Sequence, residues 1–115
     1  MQNVETLHRE AMALVDQVVL ARQRGDNDMV AKLAVAAFLK EREAANLVAD
    51  QFDYEPTRSV LHRSAATLAI ECAELREAER LIAKALTGNP PNDIAEELRD
   101  LLIEEVYSRR QAIGH

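Results

Sequence analysis

Apolar residues recur at steps of three and four along most of this chain, which is the spacing of amphipathic α-helices. One stripe predicts a helix over residues 3–24, which Gly25 can end in a left-handed conformation. A second stripe predicts a helix over 27–52, because Pro56 disfavours helical geometry in the residue before it. We therefore expect residues 3–53 to form a first antiparallel helical hairpin.

The second half of the chain carries three further apolar stripes. Thr57 is a candidate N-cap for a third helix, and a fourth helix is expected to end at Gly88, so that residues 57–88 form a second hairpin. A fifth helix is predicted over 92–111 as a C-terminal cap. The pattern therefore predicts an all-α fold of about five helices in a single domain over residues 1–115.

The second hairpin also carries a recognisable order of small and large residues. This order runs through Ala73, Leu75, Ala78, Ile82, Ala85, Leu86 and Pro90. It resembles the 34-residue tetratricopeptide repeat over residues 57–90, although His62 stands where that family usually has an aromatic residue. The resemblance implies a short right-handed array in which residues 3–53 are a weaker repeat. An ordinary Ala-rich helical hairpin is the alternative.

The resemblance also implies a binding face. In a tetratricopeptide array, the first helix of each pair lines a concave groove that holds a protein or peptide. The resemblance places Val60, Arg63, Thr67, Ile70 and Glu71 on this face. If the fifth helix begins an incomplete further repeat, it adds Glu96, Arg99, Ile103 and Tyr107. Arg63 and Arg99 would then bind a carboxylate or an acidic segment. A solvated face without a partner is the alternative.

Ile103 and Tyr107 point away from the core-facing stripe of the fifth helix. A helix that only capped the array would be polar at these positions. They therefore also suggest an alternative function, in which the fifth helix forms the interface of a structural homodimer.

Composition limits the class of partner. The net charge is −6 and no cluster of Lys and Arg is present, which argues against nucleic acid. The longest apolar run, over residues 33–39, is far too short to span a membrane. Residues 1–12 carry charges where a signal peptide needs an apolar core. Cys72 is alone, so the chain has no intrachain disulfide, and we expect a cytoplasmic protein.

The sequence offers no convincing catalytic set. Neither His8 nor His62 has a second His or Cys three or four residues away, and no Glu-x-x-His occurs. Cys72 lies on the predicted core-facing stripe of the third helix, which favours a small buried side chain over a nucleophile. We expect a noncatalytic protein- or peptide-binding module without a metal or cofactor.

Overall fold

The structure, a computed structural model, describes residues 3–113, and the side chains of residues 3–111. The described chain is all-α and contains no strand. Its elements are α1 (Val4–Gln23), α2 (Asn27–Leu47), α3 (Thr57–Glu71), α4 (Leu75–Leu86), α5 (Asn92–Asp100), a π-helical segment (Leu101–Tyr107) and α6 (Ser108–Ile113). The last three elements follow one another without a break, and we call them the C-terminal rod.

Local capping residues set the start of α1 and the turn between α1 and α2. The Asn3 side chain accepts a hydrogen bond of 2.8 Å from the Thr6 amide, and so satisfies a free donor at the start of α1. Gly25 has φ +73°, which few residues other than glycine adopt readily, and it lies directly after the C-cap of α1, where the helix ends. Asp26 then caps α2 by accepting from the Met29 amide. The predicted turn between the first two helices is confirmed.

The end of α2 was predicted incorrectly. This helix ends at Leu47, before the predicted end at residue 52, and Phe52 is 47% exposed outside the core. The tertiary structure supplies the reason, because the Ala49 carbonyl accepts a hydrogen bond of 2.8 Å from Arg58 Nε. A distant side chain therefore satisfies a carbonyl near the end of this helix.

The start of α3 uses a different cap from the one predicted. Thr57 is the first helical residue, and the residue before it, Pro56, has no side-chain acceptor. Glu55 accepts hydrogen bonds from both the Ser59 amide, at 3.0 Å, and the Ser59 hydroxyl, at 2.9 Å. Because an anionic side chain suits the positive end of a helix, Glu55 supplies the cap in place of Thr57.

The hairpins pack in chain order. α1 lies against α2, α2 lies against α3, and α3 lies against α4. Ala69 and Ala78 are both completely buried, as expected for small residues where two helices approach closely. The C-terminal rod packs on α3 and α4, with Leu98 and Val106 fully buried. No helix in the described part of the chain combines the length and apolar character needed to cross a membrane.

Three side-chain contacts join residues that are 34 positions apart. Arg80 donates to Asn46 and Lys84 to Asp50, which ties α4 to the end of α2 and the turn that follows it. Arg63 donates to Glu97 with the same separation, which ties α3 to α5. In all three contacts, the later residue therefore follows the earlier one by the same number of positions.

Arg58 is a fully buried cation that the sequence pattern did not identify. Its guanidinium donates to the carbonyls of Ala49, Lys84 and Ala85 over distances of 2.8 to 3.2 Å. It also lies 4.8 Å from the centre of the Phe52 ring. The last carbonyls of a helix have no partner within the helix and carry partial negative charge, so Arg58 stabilises the end of α4 and the turn after α2 together.

Candidate partner-binding groove

Two open clefts border the outward face of α3. The first, which we call the acidic cleft, lies between α3 and the C-terminal rod and has a volume of about 340 Å³. It is lined by Arg63, Thr67, Glu97, Asp100, Leu101, Glu104 and Glu105.

The second cleft, which we call the apolar cleft, lies between α1 and α3 and has a volume of about 360 Å³. It is lined by Met12, Val15, Val18, Val19, Arg22, Arg63, Ser64, Thr67, Leu68 and Glu71. Arg63 and Thr67 border both clefts, so the two clefts adjoin along α3. We call the combined surface the α3 groove.

Arg63 is already engaged at the junction of the two clefts. Its Nη1 donates to Glu97 Oε2 at 2.7 Å, and its backbone carbonyl accepts from the Thr67 hydroxyl at 3.0 Å. The half-buried guanidinium is therefore paired with a carboxylate of this same chain. The pair links α5 to α3 at the edge of the acidic cleft.

Carboxylates outnumber cations in the acidic cleft. Glu97 pairs with Arg63, and Glu105 pairs with Arg109 at 3.2 Å. Asp100 and Glu104 have no ion-pair partner among residues 3–111. The cleft therefore presents uncompensated negative charge, in contrast to the basic surface expected from Arg63 and Arg99.

The register of the C-terminal rod differs from the expected one by two residues. Arg63 pairs with Glu97, whereas the predicted groove set placed Arg99 beside it. Glu96, Arg99 and Ile103 are exposed, but none of them is among the residues that line the two clefts. Glu97 and Leu101 lie 34 residues after Arg63 and Thr67, so the position beside Arg63 carries a carboxylate in place of the expected Arg99.

The predicted residues of α3 have mixed positions. Thr67 and Glu71 are exposed and line the groove. Val60 is half-buried and packs against the core cluster. Ile70 is 6% exposed and belongs to the core, so it does not face a groove as expected. The packing of α2, α4 and the C-terminal rod around α3 leaves a narrower outward face than the tetratricopeptide resemblance implied.

Tyr107 and Ile103 form a separate exposed region. Tyr107 is 43% exposed and borders a shallow depression with Arg110 and Gln111, while Ile103 is 63% exposed. The prediction that these two side chains point away from the core is confirmed.

Sequence reasoning missed the contribution of α1 to the groove. Met12, Val15 and Val19 follow one another at steps of three and four, beside the stripe that faces the core. Val19 is 45% exposed, and all three border the apolar cleft. This second apolar stripe is the signal that could have identified the wall, because a helix with one packed face has little reason to be apolar on an adjacent one.

The rod is π-helical where it borders the acidic cleft. Leu101, Glu104 and Glu105 all belong to the π-helical segment. A π-helical turn closes its hydrogen bonds over one more residue than an α-helical turn. The wider turn keeps Leu98, Leu102 and Val106, each four residues apart, on the core side while the carboxylates face outward. Such segments are rare and often mark functional sites.

The two side chains considered for catalysis, His62 and Cys72, are buried or partly buried. His62 is fully buried, and its Nδ1 donates to the Arg58 carbonyl at 2.7 Å, while Nε2 has no partner. Burial lowers the pKa of His62 from its usual value of 6.5. Cys72 is only half-buried, less than expected, and its partial burial raises the pKa of the thiol. Among the described residues, no group of three His, Cys, Asp or Glu side chains is placed to hold a metal ion.

Comparison with protein-family models, with curated proteins and with solved structures found no match for this chain.

Proposed function

We propose that this protein is a noncatalytic module that binds a segment of another protein in the α3 groove. The observation that carries the proposal is the adjoining pair of clefts, one apolar and one charged, along a single helix. Pockets that bind specifically combine apolar walls with a few oriented polar groups. The net charge of −6 makes nucleic acid an unfavourable partner. The lone Cys72 suits a reducing compartment, and we propose the cytoplasm.

The resemblance of the second hairpin to a tetratricopeptide repeat is part of the proposal. The residue order over 57–90 resembles a tetratricopeptide repeat, whose period is 34 residues. The side-chain contacts between α2 and α4, and between α3 and α5, have that same separation. The groove is lined by α1, α3 and the C-terminal rod, which are the first helix of each hairpin and the helix that follows. These are the helices that line the concave surface in such arrays.

The proposed mechanism is preorganisation. The wall of α3 is held by Arg58 at its start and by the Arg63 pair with Glu97 in its middle. A surface that is already ordered loses little conformational entropy when a partner binds, so more of the contact free energy appears as affinity.

The test compares two variants with the same chemical change at exposed valine and leucine positions. Val19→Glu places a carboxylate in the apolar cleft, and Leu39→Glu places one on the exposed face of α2, where Leu39 is 46% exposed. Tagged wild-type protein and both variants would be used to capture partners from the source organism's lysate, with mass spectrometry to identify them. Thermal unfolding followed by circular dichroism establishes that both variants are folded.

We expect a partner that the wild type and Leu39→Glu retain and Val19→Glu loses. Equal capture by all three proteins would contradict the use of the groove. A wild-type protein that captures nothing would contradict the binding function itself.

The exposure of Ile103 and Tyr107 favours one alternative function, a homodimer formed through the C-terminal rod. This alternative predicts a dimer in light scattering that Ile103→Ser with Tyr107→Ser converts to a monomer. A wild-type monomer at high concentration would exclude it.

A further inference from the structure

We infer that the occupant of the α3 groove is an amphipathic α-helix of the partner, with an apolar stripe flanked on one side by Lys and Arg. This inference rests on the proposed function and specifies the chemistry of the partner. It reverses the acidic partner that the arginines of the sequence suggested.

The apolar residues of α1 that line the apolar cleft favour a partner that carries an apolar stripe. Met12, Val15 and Val19 occupy successive turns of α1, and Val19 is 45% exposed in the free protein. Side chains of this kind are buried when a helix places its own apolar residues between them, as in other complexes where a helix occupies a groove. The partner residues that fill this wall would recur at steps of three and four.

The carboxylates of the acidic cleft favour a partner that carries cations. Asp100 and Glu104 lack an ion-pair partner among residues 3–111, whereas Glu97 pairs with Arg63 and Glu105 pairs with Arg109. An acidic segment would bring further negative charge against these groups and would be repelled. Lys or Arg of the partner would be attracted, and Arg can bind a carboxylate through two hydrogen bonds.

The arrangement of the walls favours a helix over an extended segment. Arg63 and Thr67 on α3 border both clefts, so the apolar residues of α1 and the carboxylates of the C-terminal rod flank the same helix. A helix displays an apolar stripe and an adjacent basic stripe along its whole length. An extended chain alternates its side chains between opposite faces, so half of them would point away from the groove.

The test uses two synthetic peptides with an identical leucine stripe. Each is a capped amphipathic helix of about 18 residues, long enough to become partly helical in water. One peptide flanks the stripe with Lys and the other with Glu. Fluorescence anisotropy measures the affinity of each peptide for the wild type, for Asp100→Lys with Glu104→Lys, and for Glu43→Lys, whose exposed carboxylate lies on α2. Amide chemical shifts locate the peptide.

For the Lys peptide, we expect saturable binding to the wild type and to Glu43→Lys. Reversing the charge of Asp100 and Glu104 should weaken this binding at least about tenfold, and added salt should weaken it in the wild type. The Glu peptide should show the opposite preference and bind the charge-reversed protein better than the wild type. Amide shifts should be concentrated in α1, α3 and the C-terminal rod.

Failure of the Lys peptide to bind, or equal binding to the charge-reversed protein, would overturn the inference. A photo-crosslinking amino acid at Thr67, which borders both clefts, separates this failure from failure of the proposed function. If it crosslinks a partner in lysate through an acidic segment, an extended segment or a second copy of this chain, the inference is wrong. If Thr67 crosslinks nothing that a probe at Glu43 does not, the proposed function is also wrong.

Discussion

Arg58 Nη2 donates a hydrogen bond of 2.8 Å to the Lys84 carbonyl, 26 residues further along the chain, and so joins the start of α3 to the end of α4. The same guanidinium bonds the carbonyls of Ala49 and Ala85. One buried side chain therefore connects the turn after α2, the start of α3 and the end of α4.

Replacing Arg58 should strongly destabilise the protein. Arg58→Met keeps much of the side-chain volume but leaves the Ala49 carbonyl without its donor and removes one of the donors to the Lys84 and Ala85 carbonyls. We expect a loss of about 3–5 kcal/mol in the free energy of unfolding. Arg58→Lys should recover only part of this loss, because an ammonium cannot reproduce the planar fork of a guanidinium. Chemical denaturation measures both variants. A loss below about 1 kcal/mol for Arg58→Met would contradict the role assigned to these hydrogen bonds.

Gly88 should not tolerate a side chain. A Cβ at this position would lie only 2.9 Å from Arg58 Cζ and 3.1 Å from Phe52 Cδ1. Because three hydrogen bonds hold the guanidinium, Gly88→Ala should lower stability by about 1–3 kcal/mol, as overpacking does elsewhere. The control is Asn89→Ala at the next, exposed position, which should be nearly neutral. If the two variants have the same melting temperature, the close packing of Gly88 against Arg58 is incorrect.

His8 should stabilise the first hairpin through Glu41. His8 Nδ1 donates to both carboxylate oxygens of Glu41, at 3.0 and 2.9 Å, and the Glu41 side chain is fully buried. His8→Ala removes the donor from a buried acceptor and should lower stability by about 1–3 kcal/mol. Adding Glu41→Met to His8→Ala should restore part of the lost stability, because the double variant no longer buries a carboxylate without a partner.

The control for this pair is Lys40→Ala, which removes a partly exposed ion pair with Glu10. Surface pairs of this kind contribute about 0–1 kcal/mol. Urea denaturation measures the free energy of unfolding of the wild type, His8→Ala, the double variant with Glu41→Met, and Lys40→Ala. A neutral His8→Ala would show that water replaces the lost donor.

The pKa of His62 should make stability depend on pH. Burial lowers this pKa from 6.5, with further lowering by the charges of Arg58 and Arg80, against weaker opposition from the Arg58 carbonyl hydrogen bond and Glu55. Below about pH 6.5 the unfolded chain binds a proton that the folded protein does not, so stability falls as pH decreases toward the folded-state pKa. The slope from one group is at most about 1.4 kcal/mol per pH unit.

His62→Leu removes this titration, so its unfolding free energy should change less than that of the wild type between about pH 6.5 and 5. Denaturation at a series of pH values measures the two slopes. Parallel profiles would show that His62 is protonated equally in both states.

Much of the fold was predictable because local chemistry determines it. Asn3 and Gly25 act within a few residues of their own positions, and α1 closely matches the range that the apolar stripe and Gly25 predicted. The end of α2 was not predictable, because the partner of the Ala49 carbonyl is Arg58 on the next helix. Periodicity describes one helix at a time and contains no information about such a partner.

The groove was predictable only in outline. The tetratricopeptide resemblance placed Arg63 and Thr67 on an outward face, but it did not identify the residues opposite them, because a shift of two positions changes which side of the rod meets α3. The structure selects Glu97 in place of Arg99, and this choice changes the sign of the charge in the cleft. Ile70 was misplaced for the same reason, since its burial depends on helices that pack around α3.

The sequence by itself determined the all-α class, the boundaries of α1, and the exposure of Ile103 and Tyr107, because these follow from short-range hydrogen bonding and helical period. The tertiary structure decided which polar groups are buried, as in Arg58 and Glu41, and which helices face each other across the groove. Those outcomes depend on the register between helices. Register is set by the packing of the whole domain, in which each contact joins residues that no local pattern relates.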